Sequence, residues 1–158
     1  MHTSSLAPWL ISADTAAEID FLRAVLGAHE TPGARVASGD RIMHAEVVLD
    51  GAALLLFDAG PGWPPTPAHL RVYVKDVART LDEAAAHGGT VITRATETPF
   101  GDIAGRFRDP QGHRWWIHQH VDDVSPDEMT ARFAEPRHRE AMAYVAESLD
   151  AEMTRPGG

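Results

Sequence analysis

The chain has 158 residues, of which 44% are hydrophobic and 23% charged, and its formal net charge is −9 at pH 7. This composition is typical of a globular domain and unlike that of a disordered chain. The acidic balance argues against a nucleic-acid partner, because phosphate binding requires clustered Lys and Arg. It is compatible with a cationic small ligand, although acidity also serves solubility alone.

Several other classes of protein are excluded by what the sequence lacks. It contains no cysteine, which excludes disulfides, thiolate chemistry and zinc fingers. The first 14 residues have no basic segment and too short an apolar run for a signal peptide. No stretch reaches the roughly 18 apolar residues of a membrane span. We therefore expect a cytoplasmic protein without a membrane partner.

The first half of the chain has the pattern of one β-α-β-β-β unit. A strand over residues 6–12 is followed by a helix over 15–26, with Asp14 as its N-cap and Gly27 at its end. Residues 30–40 are rich in Pro and Gly and predict a loop with one short edge strand. Alternation predicts a strand over 41–49, and the Asp50-Gly51 hairpin signal returns the chain into a strand over 53–58.

The second half repeats this plan at an offset of about 60 residues, so that Asp14 corresponds to Asp76 and Gly51 to Gly112. Between the halves, residues 60–67 (GPGWPPTP) are too rich in Pro and Gly for a regular element and form a linker. The predicted elements of this half are a strand over 69–74, a helix over 77–87, and strands over 90–94, 103–108 and 113–120. Two copies are too few for a solenoid and suggest paired modules instead.

After the repeat ends, the chain predicts C-terminal helices. Ser125, Pro126 and Glu128 have the spacing of a capping box with a first-turn proline. A last helix over 137–153 carries Met142, Val145, Leu149 and Met153 on one stripe. That stripe packs on the protein's own body or, alternatively, forms a dimer contact.

The expected fold class is α+β, with two tandem β-α-β-β-β modules forming a curved mixed sheet around one cavity, plus C-terminal helices. The modules span about 5–59 and 68–121, joined by the linker 60–67. Together they make a single domain over 1–121, followed by a helical extension over 122–158.

Four stretches resemble the vicinal-oxygen-chelate superfamily, which includes glyoxalases, bleomycin resistance proteins and dioxygenases: FLRAVLG (21–27), MHAE (43–46), VYVKD (72–76) and FRDPQGHRWW (107–116). The resemblance covers about residues 5–121, and residues 124–132 resemble one glyoxalase-like subgroup. It implies the fold more strongly than the function, because this fold hosts isomerases, dioxygenases, thiol transferases and drug-binding proteins. Many relatives pair, so a homodimer is expected.

The resemblance also implies where a metal would be bound. In metal-dependent members, the first and last strands of each module supply His or Glu ligands. The four slots fall at about Ala7, Leu55, His69 and Trp116, and only His69 has a ligand side chain. Because one imidazole does not hold a catalytic metal in the usual way, the resemblance implies that the shared site is lost and that no metal is bound.

Strand alternation predicts which side chains face the cavity. The predicted substrate-binding residues are Trp9, His44, Glu46, Phe57, His69, Arg71, Phe107, Trp116 and His118, and Arg114 shares their face. Aromatic walls with a few polar groups are typical of a small-molecule site and also suit a cationic guest. Alternatives stay open: Trp116 as core, His44 with Glu46 as a structural contact, and His69 as a vestige.

These observations favour a metal-independent binding protein of the bleomycin-resistance type, which sequesters an aromatic or cationic metabolite or antibiotic and has no catalytic residue. The alternative is a metal-dependent lyase, isomerase or dioxygenase with a rearranged site from His44, Glu46, His69 and His118, holding a divalent metal. A third hypothesis is metal-free acid–base chemistry with His44 or His69 as the base.

Overall fold

The computed structural model describes residues 5–157, which divide into two compact units. The first unit runs to Ala68 and also includes Asp109–His113; the second comprises His69–Arg108 and the chain from Arg114 onward. The C-terminal helices therefore belong to the second unit. The outermost ends of the predicted domains, residues 1–4 and 158, lie outside the described residues.

The first unit is one sheet with one helix. Its elements are β1 (Trp9–Ser12), α1 (Thr15–Leu26), β2 (His29–Glu30), β3 (Val36–Ser38), β4 (Arg41–Leu49) and β5 (Ala52–Asp58). The strand order is β1-β5-β4-β2, β3 also pairs with β4, and β1 runs parallel to β5. Residues 30–40 were expected to form a loop with one short edge strand, but the 29–38 region holds two short strands, β2 and β3. The first strand, β1, begins three residues later than predicted.

The predicted helix and turn signals of the first unit are confirmed. The Asp14 side chain accepts a hydrogen bond from the backbone N of Ala17 at 2.9 Å, and Gly27 ends α1 in the left-handed region with φ of 70°. Asp50 and Gly51 both have positive φ, as a two-residue hairpin turn with right-handed strand twist requires. The buried core comprises Leu10, Ile19, Phe21, Leu22, Ala45, Val47, Leu54 and Leu56.

The second unit has the same plan with two further helices. Its elements are β6 (His69–Tyr73), α2 (Val77–Ala86), β7 (Thr90–Glu97), β8 (Asp102–Arg108), β9 (Arg114–His120), α3 (Pro126–Ala134) and α4 (Pro136–Met153). The strand order is β6-β9-β8-β7, with β6 parallel to β9. The predicted α+β class with repeated β-α-β-β-β modules and C-terminal helices is confirmed. β7 runs three residues further than predicted, and β8 begins one residue earlier, at Asp102.

Helices pack on both faces of the second sheet. On one face, α2 buries Val77, Leu81 and Ala84, and the sheet contributes Phe107, Trp115 and Ile117. Gly105 permits this close packing, because a Cβ there would lie 2.9 Å from both the Val77 and Leu81 side chains. On the other face, α4 contacts β7, where the Ser148 and Thr93 hydroxyls lie 2.7 Å apart. The last helix therefore packs on its own unit; the dimer contact stays a prediction.

Replacing Gly101 with alanine is expected to destabilise the protein more than replacing Gly112. Both glycines have left-handed φ, 89° and 98°, which costs an alanine about 1–2 kcal/mol. At Gly101 the new Cβ would also collide with the backbone oxygen of Asp122, whereas at Gly112 it meets nothing within 4 Å. We expect G101A to lose at least about 1 kcal/mol more than G112A in urea unfolding, because overpacking adds to the backbone strain. Equal losses would contradict this close approach.

Along residues 5–157 there is no helix with the length and apolar character needed to cross a membrane.

Candidate functional site

The face of the second sheet that points away from α2 holds a cavity of about 220 Å³. Strand register brings its polar side chains together: Arg71 pairs with Trp116, which pairs with Arg106, and His118 pairs with Tyr73 on one side and Ala104 on the other. We call this space the second-unit cavity. Its lining residues are Arg71, Thr93, Phe100, Ala104, Gly105, Arg106, Trp116, His118, Met142 and Val145.

Arg106 is the buried cation of the second-unit cavity. Its Nη1 donates to Thr93 Oγ1 at 3.0 Å and to the Val145 backbone oxygen at 2.8 Å, and its guanidinium carbon lies 3.9 Å from the Trp116 ring centroid. Nε is buried and has no hydrogen-bond partner among residues 5–157. Burial lowers the pKa of Arg106. One donor of the buried guanidinium group is thus left without an acceptor.

His118 is held by a carboxylate at the same cavity. Its Nδ1 lies 3.1 Å from Asp102 Oδ2, which also accepts a hydrogen bond from the Tyr73 hydroxyl at 3.0 Å. His120 Nδ1 lies 3.2 Å from the other carboxylate oxygen. Burial alone would raise the pKa of Asp102, but the hydrogen bonds from His118, His120 and Tyr73 together lower it. Asp102 is therefore an ionised acceptor that fixes the orientation of the His118 ring.

The remaining polar residues of this face are bound to one another. Trp116 Nε1 donates to His69 Nδ1 at 3.1 Å, and burial, with the charges of Arg114 and Arg106, lowers the pKa of His69. Arg114 donates through Nε to Glu152 of α4 at 3.1 Å. Neither His69 nor Arg114 is among the residues that line the second-unit cavity, although both were expected to face a cavity.

Phe107 lies on the face opposite to the one expected. It pairs with Trp115 across the β8–β9 hairpin, is fully buried, and stacks on the Trp115 ring with centroids 6.3 Å apart. Residues that are directly opposite across an antiparallel pair share a face, so Phe107 points with Trp115 into the core beneath α2. Trp116, the neighbour of Trp115, points the other way and lines the second-unit cavity.

The predicted site residues of the first half come together in the first unit. The Trp9 ring makes edge contacts with His44 (5.6 Å between centroids) and Phe57 (5.2 Å), and Trp63 of the linker contacts Phe57 at 6.1 Å. Trp9 and Trp63 are about half exposed. Glu46, on the same strand face as His44, accepts a hydrogen bond from Thr31 Oγ1 at 2.8 Å. We call Trp9, His44, Phe57 and Trp63 the first-unit ring cluster.

A catalytic divalent metal, which the resemblance implies for part of the superfamily, does not fit the side chains that are present. The first unit offers Ala7 and Leu55 at its two slots, and the second offers Trp116 and a His69 whose Nδ1 already accepts a hydrogen bond. Within the part of the chain that the structure describes, no three His, Asp or Glu side chains form a group that could hold a metal ion. Imidazole and carboxylate ligands are needed together for such a site.

Sequence reasoning missed Arg106, Asp102 and Phe100 at this site. The alternation of side chains along β8 could have identified Arg106. Once Phe107 is placed in the core, its neighbour Arg106 and the residue two positions before that, Ala104, must face the cavity. Asp102 lies one residue before the predicted strand over 103–108, so its pairing with β9 was not expected. Met142 and Val145 were recognised as an apolar stripe, but nothing in the sequence indicates the sheet face that they cover.

Comparisons with known proteins agree with this fold. The sequence model of the "Glyoxalase/Bleomycin resistance protein/Dioxygenase superfamily" matches residues 2–117. The uncharacterised protein Mb0911c of Mycobacterium bovis is 32% identical over 139 residues, which cover 80% of this chain and 90% of that protein. The uncharacterised protein Rv0887c of Mycobacterium tuberculosis has the same identity, with 81% of that protein covered.

Solved structures of similar fold extend the comparison. Protein PA1353 from Pseudomonas aeruginosa has a TM-score of 0.61 at 24% identity, covering 76% of this chain and 100% of that one. TioX from Micromonospora sp. ML1 has a TM-score of 0.59 at 21% identity, with coverages of 75% and 99%. The fosfomycin resistance protein FosX from Listeria monocytogenes, solved with Mn(II) and sulfate, has a TM-score of 0.59 at 16% identity, with coverages of 84% and 99%. At these identities the likeness concerns the fold alone.

Proposed function

Since the chain belongs to the glyoxalase/bleomycin resistance protein/dioxygenase superfamily, we propose that it binds a small aromatic anion, such as an aryl carboxylate, in the second-unit cavity without a metal. The observation that carries this proposal is the buried Arg106, whose Nε has no hydrogen-bond partner among the described residues. A buried cationic donor without an acceptor costs free energy, and a ligand carboxylate offsets that cost with charge-assisted hydrogen bonds. The ring would pack against Trp116 and Phe100.

The charges of the cavity wall support an anion over the cation that the acidic composition suggested. Arg71 and Arg106 line the cavity, and its lining residues include no Asp or Glu. A cationic guest would meet two like charges there, which disfavours binding. The volume of about 220 Å³ is below the roughly 300–1,000 Å³ of drug-sized sites, so the proposal is for a metabolite-sized ligand.

A matched pair of ligands tests the sign of the charge. In titrations of tryptophan fluorescence, we expect 4-phenylbutanoate to bind and 4-phenylbutylamine, with the same ring and chain but a positive charge, to bind at least about tenfold more weakly, a difference of about 1.4 kcal/mol. The R106Q variant should lose about 10–100-fold in affinity for the carboxylate, the worth of a hydrogen bond to a charged group. R79Q, an exposed arginine on α2, is the control. Equal binding of the two ligands would refute the proposal.

Metal independence has a separate test. We expect 4-phenylbutanoate to bind with the same affinity before and after chelator treatment, because the proposed contacts come from side chains. Elemental analysis of the purified protein completes the test. A stoichiometric first-row metal, together with loss of binding on chelation, would support the metal-dependent alternative instead.

We retain a cytoplasmic location and a homodimer as predictions. Light scattering on the purified protein tests the second of these directly.

A further inference from the structure

We propose that His118 is a general base that removes a proton from a carbon acid bound in the second-unit cavity, with Asp102 as its positioning residue. This inference rests on the binding function proposed above and adds a reaction to it. The sequence suggested His44 or His69 as a base, but neither of these residues lines this cavity, whereas His118 does.

The hydrogen bonds fix which nitrogen of His118 can accept a proton. Asp102 is ionised and only accepts, so His118 Nδ1, at 3.1 Å from Oδ2, must donate. In the neutral ring, Nε2 then carries the lone pair. Nε2 makes no hydrogen bond to any residue between 5 and 157, and the side chain lines the cavity. The arrangement is a base whose ring is oriented by a carboxylate and whose free nitrogen is available to accept a proton.

The surroundings of His118 suit the formation of an anion. Arg71 and Arg106 supply positive charge to the same cavity, β7 contributes Thr93, and α4 contributes only Met142 and Val145. Tyr73 and His120 are the other titratable groups near His118, and both bond to Asp102. One arginine can hold a substrate carboxylate while the other stabilises negative charge that develops on an adjacent oxygen.

For an aryl ketone that bears a carboxylate, the step is balanced without a co-reactant. His118 Nε2 takes the proton from the carbon next to the carbonyl, and the C–H electron pair forms the C=C bond of an enolate. The carbonyl oxygen takes the negative charge. In D₂O the imidazolium exchanges its proton with solvent and returns a deuteron to carbon, which restores the ketone. Deuterium incorporation therefore reports the proton transfer alone.

The test uses 3-benzoylpropanoate, an aryl ketone with a carboxylate, followed by proton NMR in D₂O. We expect the protein to accelerate loss of the signal of the protons next to the ketone, and H118Q to be slower by about 100-fold or more, since a positioned base contributes about 10²–10⁴. D102N should lower the maximal rate while leaving affinity unchanged, because it alters the tautomer and not the cavity wall. H87Q, an exposed histidine at the end of α2, is the matched control and should exchange at the unaltered rate.

Binding of 4-phenylbutanoate, which lacks the ketone, separates the possible outcomes. Retained binding with lost exchange in H118Q supports the proposal and shows that the variant is folded. Binding by the unaltered protein without exchange above buffer, or exchange equal in H118Q, overturns the base and leaves the binding function standing. Failure of the unaltered protein to bind 4-phenylbutanoate overturns the binding function, and this inference with it.

Discussion

Replacing Glu152 with alanine is expected to lower the free energy of unfolding by about 3–5 kcal/mol, the usual cost of removing one partner from a buried ion pair. Glu152 Oε1 accepts hydrogen bonds from Arg108 Nε at 2.9 Å and Arg114 Nε at 3.1 Å. Glu152 and Arg114 are both more than nine-tenths buried. Without the carboxylate, three guanidinium groups lose their shared partner, since Arg155 Nε also lies 3.5 Å from Glu152 Oε2, and Arg114 has little access to water.

The same variant should weaken ligand binding, because Glu152 ties α4 to the sheet. Met142 and Val145 of this helix line the second-unit cavity, and the Val145 backbone oxygen accepts from Arg106. Urea unfolding and titration with 4-phenylbutanoate measure the two effects. The matched control is E147A, the same substitution at an exposed position of α4, which should change the free energy of unfolding by less than about 0.5 kcal/mol. If E152A unfolds at the same urea concentration as E147A, the ion pairs of Glu152 with the arginines of β8 and β9 do not stabilise the protein.

The parts of the fold that sequence could predict are those fixed by local chemistry. Asp14 is predicted as an N-cap and Asp76 as its equivalent in the repeat, and each side chain accepts a hydrogen bond from a first-turn backbone N, at 2.9 Å and 3.0 Å. Ser125 likewise caps α3, accepting from Glu128 N at 3.2 Å. A cap depends on residues three positions apart, so a sequence pattern contains all the information that it needs.

The candidate site was harder to predict, because it depends on which strands pair and in what register. Phe107 was assigned to the same face as Trp116, but the Asp109–Gly112 turn pairs Phe107 with Trp115, and a shift of one residue reverses the face of every side chain. Asp102 and His118 are 16 residues apart and meet only through the β8–β9 ladder. Arg106 is a further example: an arginine in a strand indicates an exposed position by composition, whereas α4 and Trp116 bury it.

A buried carboxylic acid in the first unit makes the stability of the protein depend on pH. Glu18 of α1 is fully buried, and it lies against Asp109, which accepts hydrogen bonds from the backbone N of Gln111 and of His113, both at 2.9 Å. No donor between residues 5 and 157 reaches either carboxyl oxygen of Glu18, so an ionised Glu18 would be buried without a hydrogen bond and beside the charge of Asp109. Burial first, and then the charge of Asp109, raise the pKa of Glu18 to about 10.

The sign of the resulting pH dependence follows from proton release. Glu18 is protonated in the folded protein up to about pH 10 and is ionised in the unfolded chain above its ordinary pKa of 4.5. Unfolding between these values releases a proton, so raising the pH favours the unfolded state, by up to about 1.4 kcal/mol for each pH unit. Burial lowers the pKa of His113 in the same unit, so its contribution is complete above neutral pH and does not obscure this trend.

We therefore expect E18Q to be more stable than the unaltered protein at alkaline pH, with a difference that grows by up to about 3 kcal/mol from pH 7.5 to 9.5. Glutamine keeps the shape and a donor toward Asp109 and has no proton to release. D20N, which removes an exposed carboxylate from the same helix, should leave the pH slope as it is. Urea unfolding at several pH values measures the slopes. A slope for E18Q equal to that of the unaltered protein would mean that Glu18 is ionised in the folded state, because only a protonated carboxyl couples folding to pH in this range.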